Sequence, residues 1–478
     1  MRAWNTSARS LGAALVLAAL PVTLAAPREA SAAEAALKSA LSDYGSGLKD
    51  GALKKVKAYL ATEPPDAEIA KVLAATDDAL EKKIIALRGE HEEAMVELQT
   101  RARIAVKTQE CLDLSFRWLA SHQAATGEWE AEGFGRWCDG VEGDSPVGSG
   151  DGKGQYVYGV TALSLLAFLE AGFTLKEVHP YAAVIAKGLA WLRGVQAADG
   201  GIGDRRVGHW VYDHGVSVLA LVEAYRRTGS EDLVEPARRG LALLVEAQNP
   251  GSGWRYGIKP GESDSSLTAW SMLAFEAAKK VNDADVKAGK PPTFPYPPEV
   301  AKGIRTWFVS MTDTFTGEGG YKERGTGSAR PPESVDAFPA EFTESATAAG
   351  LCARCFLGED PAKNDTMAKQ IARVVKCPPA WAQRPGGVDF YYWRYGTHAL
   401  SQVRGAPWRT WRKALVDAVA DKQRRDGTSC VFRGSWDPVD VWGADGGRVY
   451  ATAIVSLSLA MATPFDHKKP SPPVVKVK

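Results

Sequence analysis

The chain has 478 residues, 45% hydrophobic and 24% charged, ordinary values that exclude bulk disorder and a multispan membrane protein. Lys plus Arg (58) nearly cancels Asp plus Glu (57), leaving +1, so no global field draws the protein to nucleic acid or to an anionic bilayer. The length fits about three ordinary domains or one large architecture.

Arg2 and Arg9 precede an apolar run from Leu11 to Ala26, and Ala30-Ser31-Ala32 then offers the small-x-small pattern of a cleavage site. Residues 1–32 are expected to be a signal peptide, an uncleaved anchor being the alternative, and the product to be exported to the periplasm or beyond the cell, with no integral span after cleavage. Over residues 33–107, Ile69, Leu73, Leu80, Ile84, Leu87, Met95 and Leu98 recur mostly at helical steps, and Pro64-Pro65 interrupts them. This predicts a helical prefix, a hairpin or coiled-coil-like pair.

Residues 108–462 are repetitive. Six nearly apolar segments each carry a small hydroxyl residue, and aligning them on it gives Thr161, Ser217, Thr268, Thr347, Thr397 and Thr452. The longest interval, from Thr268 to Thr347, holds the Pro-rich stretches KPPTFPYPPE and ARPPESVDAFPAE, which read as loops. Between the apolar segments lie amphipathic ones ending in Gly-rich turns such as QAATGEW and QAADGGIG. A helix apolar all round is buried and an amphipathic one is outer, so the pattern predicts an all-α protein, six helical hairpins closing into an α/α toroid. Residues 463–478 form a Pro- and Lys-rich tail expected to be flexible.

The six cysteines are 111, 138, 352, 355, 377 and 430. They read as buried thiols or one or two structural disulfides, with Cys377 a natural partner for Cys352 or Cys355. The CxxC of Cys352 and Cys355 lies in a helical stretch and lacks a second ligand pair, so no metal is expected.

Trp118-Leu119-x3-Gln123-x3-Gly127-x-Trp129 is followed by Trp191-Leu192-x3-Gln196-x3-Gly200 and by Leu243-Leu244-x3-Gln248, with Gly253-Trp254 displaced. This resembles the Gln-Trp repeat of squalene-hopene and oxidosqualene cyclases, in the superfamily that includes protein prenyltransferases, and the resemblance covers about residues 108–462. It implies the same toroid. On physical grounds the Gln amide can bond backbone groups left open at helix ends while the Trp shields that end, a stability role that leaves function open.

The resemblance also implies an acid. Those cyclases protonate an alkene with the second Asp of Asp-x-Asp-Asp-Thr-Ala, and the matching stretch here is Asp264-Ser265-Ser266-Leu267-Thr268-Ala269. Ser266 stands where the acid belongs, and a hydroxyl is too weak to take its part. The Asp-x-Cys pair that supplies zinc ligands in the prenyltransferases is absent too, and no cofactor motif is evident.

If the inner helices run parallel, the residues leading into them converge at one mouth. Asp264, Glu344 and Asp213 are the candidate catalytic carboxylates, each also explicable as a helix cap. Tyr158, Trp210, Tyr212, His214, Tyr392, Trp393, Tyr395 and Tyr450 are the candidate ligand-binding residues, the aromatic company that caps do not explain. The function expected is binding of an apolar small molecule, a carbohydrate or a protein at the toroid centre. The alternatives are a cyclase-like enzyme using another carboxylic acid, or polysaccharide cleavage by two opposed carboxylates.

Overall fold

The structure is a computed structural model that describes residues 92–140, 149–327, 344–381, 387–425, 430–463 and 465, and a few positions between 39 and 55. The expected signal peptide, most of the prefix and the tail after 465 lie outside the described residues. The chain divides into two compact units, Met1–Pro64 and Pro65–Lys478. In the first, Lys55 donates to Ser39 Oγ at 3.0 Å and pairs with Asp43.

The described part of the second unit contains twelve α-helices: α1 (Glu92–Ser121), α2 (Val157–Glu170), α3 (Ala182–Gly194), α4 (Trp210–Thr228), α5 (Val234–Ala247), α6 (Ser265–Lys287), α7 (Pro298–Met311), α8 (Glu344–Phe356), α9 (Asp365–Lys376), α10 (Phe390–Val403), α11 (Gly405–Val419) and α12 (Gly443–Ala462). The even-numbered helices carry the six aligned hydroxyls. Each packs on the next, α2 on α4 and so on to α12, and α12 returns to α2, so the circle is closed. The odd-numbered helices lie outside it, α3 on α2, α5 on α4, α7 against α6 and α8, α9 on α8, α11 on α10 and α1 on α12.

Composition decides which layer a helix joins. α2 buries every residue from Val160 to Leu169, one side meeting the outer layer and the other the ring's interior. α9 buries only Met367, Gln370 and Val374, one stripe at helical spacing. Each fully buried Leu or Phe contributes roughly 1.5–3 kcal/mol, and the continuous inner ring makes that burial cooperative.

The Gln-Trp segments form the seams between repeats. Gln123 Nε2 donates to Gly127 O at 2.7 Å in its own turn and to Val184 O at 2.9 Å in α3. Gln196 does the same to Gly200 O and to Pro236 O of α5, both at 2.9 Å, and Gln248 to Ser252 O at 2.8 Å and Val300 O of α7 at 3.2 Å. Gln423 closes the series, donating to Gly434 O at 2.9 Å and to Cys111 O of α1 at 2.8 Å. Each amide ties one outer helix to the next, and the last returns to the first.

The Trp partners satisfy helix ends. The Nε1–H groups of Trp129, Trp254 and Trp436 donate to Leu119 O and Leu244 O at 2.7 Å and to Val419 O at 2.8 Å, last-turn carbonyls without an intrahelical donor. Backbone N–H groups of the same turns reach the inner layer, Trp129 N to Thr161 Oγ1 at 2.9 Å, Trp254 N to Thr268 Oγ1 at 3.0 Å, Gly319 N to Thr347 Oγ1 at 2.9 Å and Trp436 N to Thr452 Oγ1 at 3.3 Å. The turns must come close for this. Gly127 and Gly200 have φ of 114° and 90°, and a Cβ there would sit 2.4 Å from Lys187 O and 2.5 Å from Arg239 O respectively.

Cys138 and Cys430 form a disulfide across 292 residues, linking the segment after α1 to the segment before α12. Cys111, Cys352, Cys355 and Cys377 are free, which corrects the expected bridge from Cys377. Its thiol instead donates to Glu344 Oε1 at 3.6 Å, at the start of α8. Cys352 lies eight residues further down that helix, about 12 Å at the helical rise, and out of reach.

Candidate binding site at the mouth of the ring

The leading ends of the inner helices gather on one side. Tyr156, before α2, stacks on His209, before α4, at 5.4 Å, and His209 meets Tyr256, before α6, at 6.2 Å. Lys153 pairs with Asp445 in the first turn of α12 at 2.5 Å. The Ser265 N–H donates to Tyr321 O at 3.0 Å in the segment leading toward α8, and Ser266 Oγ lies 2.6 Å from the Tyr391 hydroxyl at the start of α10.

Tyr391 fills the space between these ends. Its side chain comes from α10, its hydroxyl meets Ser266 of α6, and its ring lies 6.3 Å from Trp270 of α6 and 4.9 Å from Tyr395, while only 7% of the residue is exposed. Ser266 therefore anchors a tyrosine. Beneath it Trp270 of α6 packs on Tyr395 of α10 at 5.6 Å. Both sit about 200° round their helices from Thr268 and Thr397, the side away from the outer layer. α8 stands between α6 and α10, and Ala349, at the position that Trp270 holds in α6, gives it little bulk there, so its two neighbours meet in front of it. Further along, Glu276 Oε2 of α6 lies 2.7 Å from His398 Nε2 of α10 and its Oε1 lies 2.7 Å from Lys280 Nζ. Burial pushes the Glu276 carboxyl up, but His398 and Lys280 outweigh it and hold it well below the usual carboxylate range.

Three carboxyls at the mouth behave in the opposite way. Asp213 is pushed up to about 7 by burial, only partly offset by the Gly159 N–H it accepts at 3.0 Å. Asp264 caps α6, its Oδ1 accepting the Leu267 N–H at 2.7 Å. Burial, opposed by that bond and by Arg255, raises it to about 6, and its Oδ2 has no hydrogen-bond partner among the described residues. Asp440 is raised well above the ordinary range by burial and then by the neighbouring Asp389, while its Oδ2 accepts from the Tyr450 hydroxyl at 3.2 Å. Each is a buried acid that keeps its proton far above the ordinary carboxylate pH.

The structure distributes the sequence candidates unevenly. Asp264, Asp213, Tyr212, Tyr395 and Tyr450 belong to the mouth or the centre beneath it. Glu344 opens α8 and is half-buried beside Cys377. His214 is a seam residue, fully buried, its Nδ1 accepting the Ile202 N–H at 3.2 Å and its Nε2 donating to Gly240 O at 3.2 Å. It takes in α4 the part that threonine takes in other repeats, and Ser217 Oγ is left without a partner among the described residues. Three aromatics turn toward the periphery: Tyr158 packs on Trp191 of α3 at 5.4 Å, Trp210 lies under Arg205 at 4.7 Å, and Trp393 packs on Phe390 at 5.4 Å. Tyr392 does so too, its hydroxyl 2.7 Å from Cys377 O after α9. Sequence reading passed over Asp440, Tyr256, Tyr321 and Glu276. A lone acid inside the apolar run SMLAFEAA was the available signal for Glu276.

No family model and no curated protein matches the chain. Among solved structures, a type II terpene cyclase, MstE of Scytonema, is similar at 15% identity and a TM-score of 0.45, covering 74% of this chain and 98% of that one. An α-1,6-mannanase of Salegentibacter, in complex with α-1,6-mannotriose, is similar at 12% identity and 0.46, covering 75% and 98%. An α-amylase from Clostridium perfringens is similar at 11% and 0.46, covering 74% and 98%. No described helix is long and apolar enough to cross a membrane. By its own closed circle of paired helices the described part of the second unit is an α/α toroid.

Proposed function

We infer that this is an exported toroid that binds a hydroxyl-rich ligand of the carbohydrate class across its mouth. One observation carries the reading: the row Tyr156, His209 and Tyr256, partly exposed at its first two members and 36% exposed at Tyr256, crosses the leading ends of three inner helices. Aromatic faces stack on sugar rings while polar groups fix their orientation. The Tyr156 hydroxyl lies 3.5 Å from Asp445 Oδ2, and Lys153 and Asp445 supply charged hydrogen-bonding groups at one end. Tyr391, held by Ser266 in the space a polyprenyl chain would need, weighs against an internal chamber and hence against isoprenoid cyclisation.

The second reading, acid chemistry, rests on Asp440, whose carboxyl burial raises well above the ordinary range, and on Asp264, raised to about 6. A carboxylic acid kept neutral in an apolar site can donate a proton to a leaving group or hold a hydroxyl. Titration with a polysaccharide panel, followed by calorimetry, separates the two. Binding reads as saturable heat without product, weakened about two- to tenfold in Tyr256→Ala, the loss of a stacking contact worth roughly 0.5–1.5 kcal/mol. Product formation that Asp264→Asn or Asp440→Asn abolishes supports the enzyme instead. Squalene turnover by the wild type would overturn both readings.

A further inference from the structure

Where first and last repeats join, in the segments that lead into α2 and α12, three soft donors meet. His122 follows α1, Cys138 lies in the 3-10 segment Phe134–Gly140, and Cys430 lies in the segment before α12. One donor atom from each lies within 4.8 Å of the others. The imidazole is fully enclosed, stacked on Trp118 at 4.3 Å and against Phe134 at 5.6 Å. Its Nδ1 is 2.7 Å from Trp118 O, so that nitrogen carries the proton and the lone pair sits on Nε2. Among the described residues Nε2 has no hydrogen-bond partner.

An orphaned buried acceptor costs about 1–3 kcal/mol. An imidazole whose Nδ1–H is fixed on a carbonyl, with Nε2 free, is in the form that ligates metals. Two cysteine sulfurs beside it complete a donor set suited to soft d10 cations.

We propose that, when the Cys138–Cys430 disulfide is reduced, His122 Nε2 and the two thiolates hold one thiophilic d10 cation of the Zn2+ type. The seam then has two clasps, a disulfide in the oxidised protein and a metal in the reduced one. A dithiol reductant supplies the two electrons: the S–S bond breaks, two thiols form and the reductant becomes a disulfide. Metal binding next releases the two thiol protons. Three protein ligands leave one position for water. This inference does not rest on the ligand proposed for the mouth.

The test uses the full chain, reduced with a dithiol, desalted without oxygen and titrated with Co2+ as a spectroscopic stand-in for Zn2+. The expected result is thiolate-to-cobalt charge-transfer absorption saturating at one ion per chain, absent from the oxidised protein and from Cys430→Ser, and an affinity lowered at least about tenfold in His122→Gln. Thermal melting of the wild type adds a readout that needs no variant: Zn2+ should raise the melting temperature of the reduced protein and leave the oxidised protein unmoved. Lack of charge transfer in the reduced wild type, its persistence in Cys430→Ser, or equal stabilisation of both redox forms would overturn the proposal.

Discussion

Asp213 offers a test of how strongly the closed ring excludes water. Burial raises this carboxyl from 3.8 to about 7, so the folded protein binds a proton there that the unfolded chain releases. Stability from this group is complete below the unfolded value and is lost as the pH rises through the folded one. At about 1.4 kcal/mol per unit, the roughly three-unit shift makes ionised Asp213 cost about 4 kcal/mol, of which about 3 falls between pH 5 and pH 9. Asp213→Asn keeps an oxygen to accept the Gly159 N–H and removes the charge. Urea unfolding at about pH 5, 7 and 9 should show wild-type stability falling with pH and a shallower fall in the variant, so that the two curves converge in acid and separate in base. Glu276 does not blur the comparison, because its depressed value leaves it ionised in both states throughout that window. Identical pH slopes in wild type and variant would refute the claim that Asp213 is held protonated by burial.

The ring makes three further predictions. Glu276→Gln should destabilise by about 1–2 kcal/mol because it weakens the buried bond to His398 and removes the charge partner of the half-exposed Lys280, and the loss of stability expected of the wild type below about pH 4.5 should shrink with it; urea melts read both. Gln423→Ala removes both hydrogen bonds of the closing seam and should cost about 2–3 kcal/mol, against less than about 0.5 kcal/mol for a surface substitution such as Lys413→Ala, compared by thermal melting. Tyr391→Ala should cost about 3–5 kcal/mol through the cavity it leaves and should let a small aromatic probe bind at the ring centre, detected by nuclear magnetic resonance of the probe, whereas Tyr391→Phe should lose only about 1 kcal/mol and bind none.

Much of the architecture was legible in the residues themselves. Six apolar runs and the amphipathic ones between them forced two layers, since a helix apolar on every face has nowhere to go but inside. Gln123, Gln196 and Gln248 with their Gly and Trp partners marked the seams because the chemistry of a helix end is local: open carbonyls need donors within a few residues, and those donors are visible in sequence.

Contacts between distant repeats were another matter. Helical period places a side chain on its own helix and says nothing of which partner stands opposite, so His214 read as a ligand residue where the fold spends both its nitrogens on a seam. Likewise only the closed circle brings Glu276 to His398, Ser266 to Tyr391, and Cys138 to Cys430 beside His122. Local propensity and patterning decided the layers and the direction of the helices; the angle at which the ring closes decided which buried acids lose water and which side chain occupies the centre.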